Sequence, residues 1–388
     1  MRILVVSNFY PPYHVGGYEL GCRDVVDALR ARGHVVHVVT STHGIEGRTR
    51  EAADGIERAL RAGFPTRARD GLRPRARALV REIVNRRVLA GALRRHGPDV
   101  VYVWSPRFIE LGVGRAAEAR GVPVCYFVSD GWLAEAAAVR PILPRPRLAL
   151  RHVQFASEYL KQSALAAGQS VEYAEVIRWG VDTERFCFGT EERCAARLLY
   201  VGRLAAEKGL DTALRALRVL LDSRPRDAAP TLTVVGGPHG ERHARDEVAR
   251  LGLDGRVRFR GLVPREELPS IYRKHDVLVF PSIWPEPFSI AVLEAMASGV
   301  VVATTLTGGT GEVAVDGVNC VAFAPGDAAA CAAALRRVLE DHELARRLRE
   351  TARRHVEQRF PLETMVDRIE HSLQRAAVGD RRVSELAT

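Results

Sequence analysis

Glu286 and Glu294, with seven residues between them, lie in the segment PSIWPEPFSIAVLEAMASG at 281–299, directly after a short apolar run at 276–280. Pro285 and Pro287 hold the entry loop out of helical geometry, Ser289 is placed as an N-cap, and the pattern predicts a helix from about Ile290 to Ser298 that stops at Gly299. Glu286 is then expected in a loop, oriented toward a ligand rather than packed in a core, and Glu294 on a helix. N–H groups near Phe288, Ser289 and Ile290 would face the carboxyl ends of the strands, where an anionic phosphate can be held. A carboxylate just beyond a phosphate can accept hydrogen bonds from sugar or ribose hydroxyls. Taken alone, the same spacing also fits a core helix carrying two surface acids.

A second motif lies upstream. The apolar strand Leu198 to Val201 runs into GRLAAEKG, residues 202–209, and a helix is predicted from about Leu210. Arg203 and Lys208, emerging at a strand end and a helix start, can clamp a diphosphate, the first with a planar fork and the second with a point charge. A solvated cation pair is the plainer alternative, and it loses ground once the carboxylate motif follows downstream. No Asp-x-Asp pair and no cluster of His or Cys at ligand spacing is present, so no metal site is expected and the cations take that role.

These groups need a scaffold. Strands and helices alternate from the first residue: Ile3–Ser7, a helix over about Tyr18–Arg32, Val35–Thr40, Val100–Trp104, Val122–Val128 and Val153–Ala156. A second series runs through Leu198–Val201, Leu232–Val235, Val257–Gly261, Val277–Phe280, Val300–Ala303 and Asn319–Phe323. Such alternation predicts parallel sheets covered on both faces, an α/β chain of two Rossmann-like domains, with a ligand in the cleft between them. The boundary is expected between Val176 and Arg197. Residues 46–97 are Arg-rich and partly amphipathic. A helix from Pro74 to Arg95 is expected to pack Leu79, Val80, Ile83, Val84, Val88 and Leu89 on the first domain, with membrane contact as the minority reading. After Pro361 a last helix is expected to Ala377, with disorder beyond about Val378.

The 388 residues, 47 % hydrophobic, suffice for two cores. A formal charge of +10 and a pI near 9.7 favour anionic partners, among them nucleotide sugars, phospholipid surfaces and nucleic acids. Much of the excess is arginine, dense from Arg48 to Arg95 and again at Arg140, Arg145, Arg147 and Arg151. The cysteines, Cys22, Cys125, Cys187, Cys194, Cys320 and Cys331, show no C-x-x-C spacing, which suits a reducing compartment. The N-terminus enters a strand at once, without a signal-peptide pattern, and no apolar run reaches membrane-spanning length. A cytoplasmic protein is expected, with peripheral contact at the inner membrane face left open.

With both motifs in view the chain resembles the family-four (group 1) glycosyltransferases, retaining enzymes of the GT-B fold. The resemblance runs through YPPYHVGGYE at 10–19, GVD at 180–182, GRLAAEKG at 202–209, VVGGP at 234–238, VRFRGLVP at 257–264, EPFSIAVLEAMASG at 286–299 and GGTGEVAVDGVNC at 308–320. It implies an acceptor-side domain at 1–180, a donor-binding domain at 181–360, and a helix within 361–388 that returns to the first domain. It further implies that Arg203 and Lys208 bind the donor diphosphate, Glu294 the ribose and Glu286 the sugar hydroxyls. The base would lie on backbone near Leu262 and Val263. Gly16 and Gly17 would let N–H groups approach the phosphates closely.

Two departures stand out. Where many relatives carry a histidine after the Val122–Val128 strand, this chain has Ser129 and Asp130. Asp130 can orient the acceptor or relay a proton, His14 can supply a different imidazole beside the glycine turn, and an N-capping Asp and a surface His are the competing assignments. Trp179 precedes GVD where small or polar residues are common.

The implied reaction moves a hexosyl or N-acetylhexosaminyl group from a nucleoside diphosphate, UDP first and GDP-mannose second, to a hydroxyl of a glycan, a lipid-linked saccharide or a small metabolite. It needs no cofactor beyond the nucleotide-sugar substrate. A nucleotide-sugar epimerase or a phosphorylase shares the architecture and remains an alternative. A basic nucleic-acid-binding protein is the non-enzymatic one, although no nucleic-acid module is recognisable and no nucleic-acid partner is expected.

Overall fold

The computed structural model describes residues 1–44, 55–63, 72–109, 112–138, 150–188, 196–222, 230–237 and 239–385. Arg48, Arg140, Arg145, Arg147, Cys194 and Pro238 lie outside the described residues. The chain divides into two units, the first formed by Met1–Ile177 with Val366–Thr388 and the second by Arg178–Met365.

Unit 1 is built on strands β1 (Arg2–Ser7), β2 (Val35–Ser41), β3 (Ile56–Leu60), β4 (Val100–Ser105), β5 (Val124–Val128), β6 (His152–Phe155) and β7 (Tyr173–Val176). They form one parallel sheet in the order β3-β2-β1-β4-β5-β6-β7. Its central strands are buried end to end, as VVYVWS in β4 and VCYFV in β5 require when helices cover both faces. The helices are α1 (Gly17–Ala31), α2 (Leu72–His96), α3 (Gly112–Glu118), α4 (Trp132–Ala138) and α5 (Glu158–Ala166).

Unit 2 contains β8 (Arg197–Val201), β9 (Thr231–Val235), β10 (Val257–Gly261), β11 (Val277–Phe280), β12 (Val301–Thr304) and β13 (Val321–Ala322). They are also all parallel, in the order β10-β9-β8-β11-β12-β13. Helices α6 (Leu210–Asp222), α7 (Glu241–Arg250), α8 (Leu268–Arg273), α9 (Ile290–Ala297), α10 (Ala328–Glu340) and α11 (His342–Arg359) flank it. Leu198, Tyr200, Leu214, Leu217, Val279, Ala303, Leu335 and Leu348 are part of its core. Each sheet runs outward from its first strand in both directions, which makes β1/β4 and β8/β11 the topological switch points where open α/β sheets form their crevices.

Helix α12 (Leu362–Glu385) begins in unit 2 and belongs to unit 1 from Val366 onward. Within unit 1 it buries Ile369, Leu373 and Ala376, and Glu370 accepts from Arg32 at 2.8 Å and pairs with His34 at 2.9 Å.

Three expectations are corrected. Strands β3 and β7 are additional; both sit at sheet edges and carry charged or exposed residues, Glu57 and Arg58 in one and Tyr173 in the other, which hides their apolar alternation. The tail continues as helix to Glu385, past the break expected near Val378. In α2, Leu89 is buried as anticipated, but Leu79, Val80 and Ile83 are exposed, while Glu82 and Asn85 are buried in their stead. Asn85 bridges the backbone of Arg61 and Ile109, and Glu82 pairs with Arg115, so polar partners rather than apolar packing fix this half of the helix to unit 1.

Candidate active site

Both sequence motifs leave the two strands that flank the unit 2 switch point. After β8 the chain turns at Gly202, whose N–H donates to Val235 O at 3.0 Å, and the Tyr200 hydroxyl donates to Arg203 O at 2.7 Å. A 3₁₀ turn at Ala206–Lys208 follows and ends on Gly209 at φ +71°. A Cβ there would run into the Pro281 carbonyl, so only glycine lets the two loops close on each other. One carbonyl then pins them together: Glu207 O accepts from Ile283 N at 3.0 Å, Trp284 N at 3.1 Å and Ser282 Oγ at 3.3 Å.

The result is an ion pair between the two motifs. Lys208 Nζ stands 2.7 Å from both Glu286 oxygens, with 16 % of the lysine side chain and 3 % of the glutamate exposed. The expectation that Glu286 is a loop carboxylate holds for its place in the chain, but it is buried and carries a structural bond as well. Charge-assisted contacts in such surroundings are strong, and removal of one partner strands the other charge. The loop is anchored from its far side too, because Glu286 O accepts from Gly309 N at 2.7 Å and Gly308 adopts φ +56° where a Cβ would strike the Glu286 backbone. Arg203, at the mouth of the same turn, is half exposed and 3.3 Å from Glu207.

Ser289 occupies the N-cap position of α9, but its hydroxyl does not cap the helix. It pairs with Thr310 Oγ1 at 2.5 Å, and α9 has no side-chain cap. Of the first-turn N–H groups, that of Val292 turns back on Ser289 O at 3.1 Å, which leaves those of Ile290 and Ala291 as the donors at the carboxyl end of the sheet that the helix does not use. Phe288 is buried and lies against Phe360, with ring centroids 6.2 Å apart, so it contributes backbone rather than side chain here; Ile290 is half-buried. Glu294, one helical stretch further on, accepts from the Tyr272 hydroxyl at 3.1 Å and lies 3.8 Å from Arg265. Burial, reinforced by the Glu294 charge, pushes the Tyr272 phenol far above its ordinary pKa, so it stays a donor. Arg265 and Tyr272 were not singled out from the sequence, since nothing in VPREELPSIY marks either as a partner of a residue in another helix. Leu262 is 61 % exposed and Val263 half-buried, just beyond β10. Trp179 is buried.

In unit 1, Gly16 is the N-cap of α1 in an extended conformation, and its N–H donates to Glu19 Oε2 at 3.0 Å. Glu19 is fully buried, and burial pushes its carboxyl up to about 7. Around it, Asn8 Nδ2 donates to the Tyr18 hydroxyl at 3.0 Å and Trp104 Nε1 to Tyr18 O at 2.9 Å. A Cβ at Gly16 would meet nothing closer than 3.9 Å, so the turn itself does not demand glycine at that position. Gly17 is exposed and His14 half-buried. Asp130, beyond β5, is already engaged: Arg107 donates to both its oxygens at 2.9 and 3.1 Å, and Trp132 N to Oδ1 at 2.8 Å. It thus serves as an ion-pair partner and as a cap for α4, whose N-terminal side also offers Glu135 to Arg107 at 2.9 Å. Arg107 went unrecognised in the sequence because it is one arginine among many.

Residues 192–355 match the family described as "Glycosyl transferases group 1" and residues 15–185 the one described as "Glycosyltransferase Family 4". The chain belongs to the group 1 glycosyltransferases of GT-B fold. A glycogen synthase from Mycobacterium tuberculosis is 29 % identical over 98 % of this chain and 96 % of its own length. A D-inositol 3-phosphate glycosyltransferase from Streptomyces avermitilis is 36 % identical over 47 % of this chain and 42 % of its own. Among solved structures, the sucrose-phosphate synthase of Thermosynechococcus elongatus aligns with a TM-score of 0.79 over 97 % of this chain and 99 % of that one at 20 % identity. HepE of Anabaena, in complex with UDP and glucose, aligns at 0.76 over 96 % and 99 % at 22 % identity.

Proposed function

We propose that this glycosyltransferase takes a nucleoside diphosphate sugar, UDP-linked in preference to GDP-mannose, and transfers its hexosyl or N-acetylhexosaminyl group to an acceptor hydroxyl with retention of configuration and without a metal. The observation that carries the reading is the 2.7 Å contact of Lys208 with Glu286. A cation suited to phosphate and a carboxylate suited to sugar hydroxyls adjoin each other beside the uncapped start of α9, which is how a diphosphate and its attached sugar adjoin. Arg203 sits at the entrance to complete the charge balance on the leaving phosphate. Glu294, oriented by Tyr272 and Arg265, accepts from the ribose, and the backbone at Leu262 and Val263 carries the base.

UDP is favoured because the same fold in HepE is seen with UDP and glucose. The acceptor is a glycan, a lipid-linked saccharide or a small metabolite. The five described free cysteines suit a reducing, cytoplasmic setting. Since Asp130 is tied to Arg107, acceptor deprotonation falls to the leaving phosphate on the same face of the sugar; within unit 1, His14 and the Gly16–Gly17 turn are the candidate ligand contacts. An epimerase would turn over without acceptor and a phosphorylase would require inorganic phosphate.

The test is product analysis. Transfer from a UDP-sugar in excess chelator, with the anomeric configuration read by NMR, should give a retained linkage at undiminished rate. An inverted product, or activity lost to chelator and restored by magnesium or manganese, overturns the mechanism.

A further inference from the structure

Helix α2 has its amphipathicity reversed over its first half. The polar Glu82 and Asn85 face inward, bonded to Arg115, Arg61 and Ile109, whereas Leu79, Val80 and Ile83 face out with 39 %, 53 % and 43 % of their surface exposed. On a helical wheel these three and the exposed Ala76, Arg86 and Arg87 make one continuous stripe, with exposed Arg77 on its flank. Glu82 is the only carboxylate in LRPRARALVREIVNRRVLAGALRRH, and it is buried against Arg115 beside the stripe rather than exposed on it. Water alone does not select such a pattern: it places three large apolar side chains in solvent and gives up two inward positions to polar groups.

We propose that this face of α2 is a docking surface for an anionic lipid bilayer, on which the helix lies in the plane of the interface. Leu79, Val80 and Ile83 would enter the acyl boundary, and Arg77, Arg86 and Arg87 would meet the headgroup phosphates. Charge selects this occupant. A second copy of the chain, docked face to face, would bring the same arginines together with no carboxylate to offset them. A nucleic acid would answer the arginines but leave the apolar stripe in water. Association is peripheral, because no described helix is long and apolar enough to cross a membrane. The inference is independent of the donor site, which lies in unit 2.

Co-sedimentation of the full chain with vesicles tests it, using phosphatidylcholine alone and phosphatidylcholine with about a third phosphatidylglycerol. The wild type should bind the anionic vesicles at least ~10-fold more tightly than the neutral ones, and salt should weaken binding. Leu79→Ser/Val80→Ser/Ile83→Ser should lose about tenfold or more, and Arg86→Gln and Arg87→Gln roughly fivefold each. Leu165→Ser, at another exposed leucine of unit 1, should change nothing. All positions are at the surface, and circular dichroism confirms that each variant keeps its helix. The proposal fails if the wild type ignores both vesicles, if the serine variant binds as the wild type does, if Leu165→Ser loses as much, or if sedimentation velocity shows a dimer that the serine variant dissolves.

Discussion

Lys208 and Glu286 neutralise each other in a buried pair, and Arg203 lies half exposed beside them, which gives variants at the two cations distinct signatures. Lys208→Ala should cost ~10²-fold or more in kcat/KM and also lower the melting temperature, because a buried carboxylate is left unpaired. Arg203→Ala, at a half-exposed site, should cost about tenfold or more with no loss of stability. Steady-state kinetics beside a thermal melt separates the two, and equal melting temperatures for both variants would contradict the buried pair. Gly16→Ala poses the complementary case. The turn has room for a Cβ, so stability should stay within about 0.5 kcal/mol of wild type, while activity falls if a ligand approaches that N–H closely. Unchanged kinetics would remove Gly16 from the site. Glu19 supplies a pH dependence. Its carboxyl is raised from an ordinary 4.5 to about 7, so the folded state binds the proton more tightly than the unfolded one, and this contribution to stability is full below pH 4.5 and lost as pH rises toward 7. Glu19→Gln should flatten denaturant-derived stability across that window, removing a slope worth roughly 3 kcal/mol in total.

At the scale of elements, the sequence was most legible where the physics is local and periodic. The buried strands flanking the switch points and the helix after Ser289 follow from apolar runs and turn residues, and the observed boundaries lie close to those expected. What could not be read was which partner a polar group would choose. Ser289 looks like a helix cap, yet its hydroxyl bonds to Thr310 and makes no bond to a helix N–H group. Asp130 reads equally as a group acting on a substrate or as an N-cap; the structure gives it the cap through Trp132 N, and Arg107, from the loop after a neighbouring strand, takes both its oxygens besides. Glu286 looks like a loop acid left open to a ligand, yet Lys208 reaches it across a loop contact that depends on Gly209. Such choices are made by tertiary approach, which leaves no mark on spacing. The Gly209 contact is itself testable: Gly209→Ala combines a strained φ with a clash at Pro281 and should destabilise by about 1–3 kcal/mol, with activity falling as Lys208 is displaced from Glu286. A melt indistinguishable from wild type would mean that the two loops need not close.

At the scale of the whole molecule, the two units have separate sheets and separate cores, and a donor bound in unit 2 should act on that unit directly. Calorimetry with a UDP-sugar at a hundredfold its dissociation constant should move the transition that reports unit 2 by the equivalent of about 2.7 kcal/mol, while Lys208→Ala abolishes the shift. An identical shift in that variant would place the nucleotide elsewhere. Unit 1 depends on residues from both ends of the chain. Truncation after Met365 would delete Ile369, Leu373 and Ala376 from its core and Glu370 from its contacts with Arg32 and His34.

That dependence sets an order in time. A ribosome delivers Met1–Ile177 of unit 1 before the whole of unit 2, and only after that the segment from Val366 that fills the remaining face of unit 1. Unit 2 is complete in sequence before unit 1 is, so the first half of the chain must wait, with the surface meant for Ile369, Leu373 and Ala376 uncovered, until those residues have followed the whole of unit 2.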